Sequence, residues 1–149
     1  MTSLSKNFAL EEFCRSQTAA RMGRKVEPTD EETLAIQALV RNIFQPLRDV
    51  IDKPIIISSG LRPEWLNKAI GGSKTSQHML GEAGDFNVIG MTPLEVCHKI
   101  VELKLPFDQL IHEFKEWVHV SHSLQPVQRG AQLTAYYKDG ITQYKLGLE

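Results

Sequence analysis

An excess of charge of either sign is missing from this chain: 17 Lys and Arg stand against 18 Asp and Glu, a formal net charge of −1. With no basic excess and no local basic stretch, phosphate neutralisation has little to work with, which argues against a nucleic-acid binder. Nor does charge give a reason to expect attachment to a membrane surface. Cysteine is scarce as well. Cys14 and Cys97 lie far apart without metal-type spacing, so a secreted disulfide scaffold is not expected and both read as reduced, small hydrophobes, with one bridge between them left open. No apolar run approaches a membrane span, and the first residues hold no apolar signal core. The expectation is a protein made in the cytosol without a signal peptide. Repeats and low-complexity segments are also missing. The 149 residues, 42% hydrophobic and 23% charged, suit one globular domain able to bury roughly 70% of its unfolded surface.

Hydrophobic period then divides the chain. Residues 8–22 read as a short amphipathic helix stopped by Gly23. A second helix begins at Pro28, with a capping residue and acids in its first turn, and runs to about 51; Pro46 inside it predicts a kink or break. Residues 54–58 are a β-branched run that reads as a buried strand. A short helix over 63–70 closes at Gly71-Gly72, and 83–89 reads as a further strand. Thr92 caps a helix that Pro93 opens and that runs to about Lys104. The period then changes to two. Residues 108–114 and 117–122 are strand-like runs joined by a tight Lys115-Glu116 turn, and 133–137 and 142–146 pair around Asp139-Gly140. Helices early and antiparallel strands late predict an α+β fold in a single domain over 1–149.

Chemistry concentrates between Ser59 and Ser121. In Ser76-Gln77-His78-Met79-Leu80-Gly81-Glu82-Ala83-Gly84-Asp85, Gly81 and Gly84 would each cost a helix about 1 kcal/mol relative to alanine. A loop feeding a strand therefore brings His78 and Asp85 together around one ion. Glu116-Trp117-Val118-His119-Val120-Ser121 adds a second imidazole on an adjacent strand. Two imidazoles and a carboxylate suit a catalytic divalent metal, leaving a position for water, whose pKa zinc lowers to about 7. A neighbouring carboxylate must shuttle the proton, and Glu116 is placed for it. Arg62 could answer the oxyanion. His98, His112 and His122 read as structural, because an isolated histidine is more often hydrogen-bonded than metal-bound.

Three strings together carry a resemblance: Ser59-Gly60-Leu61-Arg62-Pro63, Gly71-Gly72-Ser73-Lys74-Thr75-Ser76-Gln77-His78, and Gly81-Glu82-Ala83-Gly84-Asp85-Phe86. They resemble the zinc D-alanyl-D-alanine carboxypeptidases, a family that includes vancomycin-resistance dipeptidases and phage endolysins and shares the hedgehog-type fold. The S-x-H-x-x-G-x-A-x-D pattern is met by Ser76, His78, Gly81, Ala83 and Asp85, and the later W-x-H-x-S strand by Trp117, His119 and Ser121; the motif core covers about 54–122. The resemblance implies one zinc ion on His78, Asp85 and His119, Glu116 as base, Arg62 stabilising the transition state and Ser76 contacting substrate. Glu113 is the alternative base; alternation across the turn puts it on the face opposite His119, which favours Glu116. Leu61 stands where the family commonly has an aromatic.

The function this implies is hydrolysis of an amide bond in peptidoglycan stem peptides by a monomer acting on the cell wall, after phage-type release. Carboxypeptidase and endopeptidase action both stay open. A non-catalytic, zinc-containing wall-binding module is the alternative, and a non-haem iron oxygenase, whose facial triad has the same ligand types, is a more distant one.

Overall fold

Three of the α-helices begin where a side chain takes over a backbone donor. The computed structural model describes all 149 residues. In it, Thr29 accepts from Glu32 N at 3.1 Å while the Glu32 carboxylate accepts from Thr29 N at 2.9 Å, a capping box that opens α2 (Asp30–Leu39). Thr92 and Glu95 do the same for α5 (Pro93–Glu102). The expected kink at Pro46 takes the form of a π turn over Val40–Phe44 between α2 and α3 (Gln45–Ile51). Proline lacks an N–H and its ring crowds the carbonyl four residues back, so the ladder widens there and Gln45 N reaches Val40 O. The helix predicted over 8–22 is not continuous. It divides into a 3₁₀ turn, Leu10–Phe13, and α1 (Gln17–Arg21), because extended Ser16 accepts from Ala19 N and starts a helix of its own.

Six strands follow or intervene: β1 (Ile55–Ser59), β2 (Ala83–Val88), β3 (Gln109–Glu113), β4 (Trp117–Ser121), β5 (Ala131–Lys138) and β6 (Ile141–Leu146), with the short α4 (Glu64–Ala69) after β1. Their order in the sheet is β1-β2-β4-β3-β5-β6. Every neighbouring pair is antiparallel except β3 and β5. The architecture is the α+β class expected, a helical layer on a mainly antiparallel sheet. Asp139 and Gly140, both left-handed at φ 55° and 75°, turn β5 into β6 as an Asp-Gly pair should.

Alternation gives the sheet two unlike faces. On one, Phe86, Leu110, Val118 and Val120 are fully excluded from solvent and join Val96, Cys97 and Ile100 of α5 in the core. Phe44 of the π turn meets Phe86 edge-on at a centroid distance of 4.9 Å. The other face carries Asp85 opposite His119, and His119 opposite Ile111.

The β3–β4 connection departs from expectation by one residue. Glu113 pairs with Trp117, so Phe114, Lys115 and Glu116 all lie in the turn, Glu116 N donating to Glu113 O at 2.9 Å. Phe114 and Lys115 are left-handed, at φ 56° and 61°. A turn of Lys115 and Glu116 alone would have paired Glu113 with Val118. Because side chains alternate with period two, the extra residue moves Glu113 onto the face of His119.

Candidate metal centre

His78 reaches the site from a 3₁₀ turn, Gln77–Leu80, that Ser76 opens by accepting from His78 N at 3.2 Å. Gly81 ends the turn in the left-handed region at φ 75°, and a Cβ there would lie 2.8 Å from Glu32 O. Position 81 is therefore closed to other residues by both conformation and space. Two residues later β2 begins and presents Asp85. The loop feeding a strand is as the glycines predicted.

One buried carboxylate oxygen is shared by two imidazoles. Asp85 Oδ1 lies 3.2 Å from His78 Nε2 and 2.9 Å from His119 Nδ1. Ligand atoms of all three residues lie within 4.8 Å of one another. His78 is 1% exposed, and its Nδ1–H donates to Gly60 O at 2.8 Å. That bond fixes the tautomer: Nε2 points its lone pair at a carboxylate oxygen. Burial, the largest influence on His78, lowers its pKa and works against a proton on Nε2. Two acceptors at this distance call for a cation between them. The donor set thus fits a divalent ion such as zinc, with His78 oriented from behind by a backbone carbonyl, as metal-binding histidines are.

Other shifts follow from the same crowding. Burial by itself would raise Asp85, but the surrounding imidazoles of His78 and His119 hold it well below the usual carboxylate range. Burial disfavours the His119 cation, yet the hydrogen bond and charge of Asp85, then the charge of Glu113, raise its pKa. Glu113 Oε1 lies 3.7 Å from His119 Nδ1. Burial first, then the negative charge of Asp85, pushes the Glu113 carboxyl up to about 7, a value suited to exchanging protons near neutrality.

Arg62, on the loop after β1, faces the same cleft, a depression of about 810 Å³ that also admits Ser76, His78, Asp85, Glu113 and His119. Its Nη2 reaches Ser76 Oγ at 3.5 Å, and its Nε is buried without a partner. A buried donor left open beside a cleft is one that a bound oxygen can satisfy. Burial lowers the Arg62 pKa, opposed by the charges of Asp85 and Glu113.

Five of the six residues singled out from sequence therefore converge: Arg62, Ser76, His78, Asp85 and His119. Glu116 does not. It is exposed in the turn and does not line the cleft, and Glu113 lies there in its place. The cause is the three-residue connection and the register it sets. His98 is exposed on α5, while His112 Nδ1 meets Glu149 O at 2.6 Å and His122 Nδ1 meets Pro106 O at 2.7 Å, so all three stay apart from the site. Sequence reasoning missed the far wall of the cleft, where Arg129, Leu133, Tyr137, Thr142 and Tyr144 stand. The Asp-Gly hairpin was visible in the sequence, but nothing local announces that β5 runs parallel to β3 and carries β6 along the outer edge of the cleft.

None of the curated proteins matches the chain. A family model described as Peptidase M15 matches residues 6–121, from the first turns of the chain to the last residue of β4. The stretch it covers holds every one of the three converging donors, and the chain belongs to this family of zinc D-Ala-D-Ala carboxypeptidase-type metallopeptidases.

Proposed function

We propose that this metallopeptidase hydrolyses an amide bond in peptidoglycan stem peptides, with Glu113 as its general base. The observation that carries the reading is one constellation: three converging donors, a protonatable carboxylate 3.7 Å from His119, and an arginine with an open buried donor on the same cleft. A divalent ion bound by His78, Asp85 and His119 supplies a Lewis acid that acidifies water and polarises the substrate carbonyl. Glu113 accepts a proton from the attacking water at a carboxylate oxygen and returns it to the leaving amine nitrogen. Arg62 donates to the carbonyl oxygen as negative charge builds there. Ser76, beside Arg62, helps to orient the bound peptide. His78 stays fixed by the Gly60 carbonyl throughout, so its ring undergoes no reorientation during turnover. Delivery to the wall by phage-type release belongs to the same proposal and is supported by the resemblance to endolysins.

Digestion of purified peptidoglycan, followed by mass spectrometry of the muropeptides, tests the reading. New peptide termini should form with the zinc-loaded protein and not after chelation. Loss of a terminal D-alanine would mark a carboxypeptidase, and an internal cut an endopeptidase. A folded protein that binds zinc and cleaves nothing would overturn the hydrolytic reading in favour of a wall-binding module.

A further inference from the structure

The stretch shared with the family ends at residue 121, but the cleft continues past it onto β5 and β6. Register explains why. Glu113 pairs with Trp117 on one side and with Ala135 on the other, and Ala135 pairs with Tyr144. One row across the sheet thus runs Trp117, Glu113, Ala135, Tyr144, with Ala135 itself buried. Across it, after burial, the charges of Glu113 and Asp85 are felt at the Tyr144 phenol and raise its pKa. Tyr137, two residues along β5 from Ala135, stacks on Phe114 at 4.1 Å and 13°. Phe114 is one of the left-handed turn residues that set the register of Glu113. The turn that brings the acid to the cleft also positions the aromatic platform.

Both cleft tyrosines are open to solvent, Tyr137 at 65% and Tyr144 at 56%. Tyr136 differs: it alternates to the other face and gives its hydroxyl to Gln143 at 3.2 Å. Aromatic surface left exposed along a polar cleft, with its hydroxyls free, is ligand-binding surface rather than core. Two strand spacings, about 10 Å, separate β6 from β3. An extended peptide covers that distance in about three residues, so the hairpin meets residues flanking the scissile amide and not the amide itself.

We propose that the C-terminal hairpin is the substrate-binding wall of this peptidase: Tyr144 hydrogen-bonds the peptide beside the scissile bond, and the Phe114–Tyr137 stack carries its next residues. The inference rests on the peptidase reading above and adds a specificity site whose tyrosines lie outside the family-matched stretch.

Steady-state cleavage of purified muropeptides by the zinc-loaded protein tests it. Tyr144→Phe should raise KM about three- to tenfold with kcat within about twofold, the signature of lost binding rather than lost chemistry. Tyr137→Ala should do the same and Tyr137→Phe, which keeps the stack, should not. Tyr136→Phe, on the opposite face, serves as control. Bound zinc and Tm are measured for each variant, so that a folding defect is not read as a binding defect. Unchanged KM in Tyr144→Phe and Tyr137→Ala, with the wild type active, overturns the hairpin's role and leaves the peptidase reading standing. A wild type that is folded, zinc-loaded and inactive overturns the peptidase reading, and the hairpin proposal with it.

Discussion

The two faces of the sheet are built from alternate residues of the same strands and answer to different physics. Phe86, Val118 and Val120 meet α5 and the π turn in a close-packed interior, where stability comes from apolar area removed from water. Asp85 and His119, their neighbours in sequence, point the other way with Glu113 of β3 and crowd ionisable groups together under partial burial, where their donor atoms converge. Parity along a strand decides which of these a residue does. Register, rather than the identity of any one residue, is what keeps packing and chemistry apart.

The strongest way to break that comparison is at the turn. Glu113→Gln should lower kcat about 10³-fold, as expected for loss of a general base, while Glu116→Gln stays within about twofold of wild type. The reverse order in a kinetic comparison would restore the shorter turn and Glu116 as base. On the packed face, Phe86→Ala should cost about 3–5 kcal/mol and lower Tm by about 10–20 °C. The protein that remains folded should still bind one equivalent of zinc, measured by metal analysis. Loss of zinc with an unchanged Tm would show that the faces are not separate. The smallest effect sharpens the picture of the chemical face. In metal-free protein the Glu113 carboxyl titrates at about 7 against an ordinary 4.5, so folding favours its protonated form. The resulting destabilisation is absent below about pH 4.5 and grows as pH rises towards 7. Glu113→Gln should therefore raise the metal-free Tm by about 5 °C at pH 8 and leave it unchanged at pH 4. Melting curves in chelator at the two pH values check this.

Much of this was legible in the sequence, for local reasons. The caps at Thr29 and Thr92, the Asp139-Gly140 turn and the break forced by Pro46 all act within a few residues of themselves, and each appears where the chain announces it. The donors were legible for a similar reason: glycines at 81 and 84 exclude a helix and leave a turn that feeds β2. What stayed hidden depends on partners distant in sequence or on a single residue of register. One miss was local: Ser16 accepts from Ala19 N and starts a second helix inside an otherwise helical pattern. The left-handed pair Phe114-Lys115 carries no glycine or asparagine to advertise it, and through it Glu113, rather than Glu116, lines the cleft. The parallel pairing of β5 with β3 follows a connection over 122–130 that is pinned at Asp108 by the Arg129 guanidinium, at 2.6 Å, and at Glu82 by Leu124 N, at 2.9 Å. Those contacts span 21 and 42 residues of sequence, and no short window contains them.

Gly60 links this site to the start of the chain. Its carbonyl anchors His78, a Cβ on it would overlap the Phe13 carbonyl, and the next amide, Leu61 N, donates to that same Phe13 oxygen at 2.7 Å. The opening turn is thus the footing on which an imidazole more than sixty positions downstream is aimed. A minimal fragment cut to begin after that turn would keep every donor atom and lose the brace that aligns one of them, so trimming for expression should stop short of Phe13.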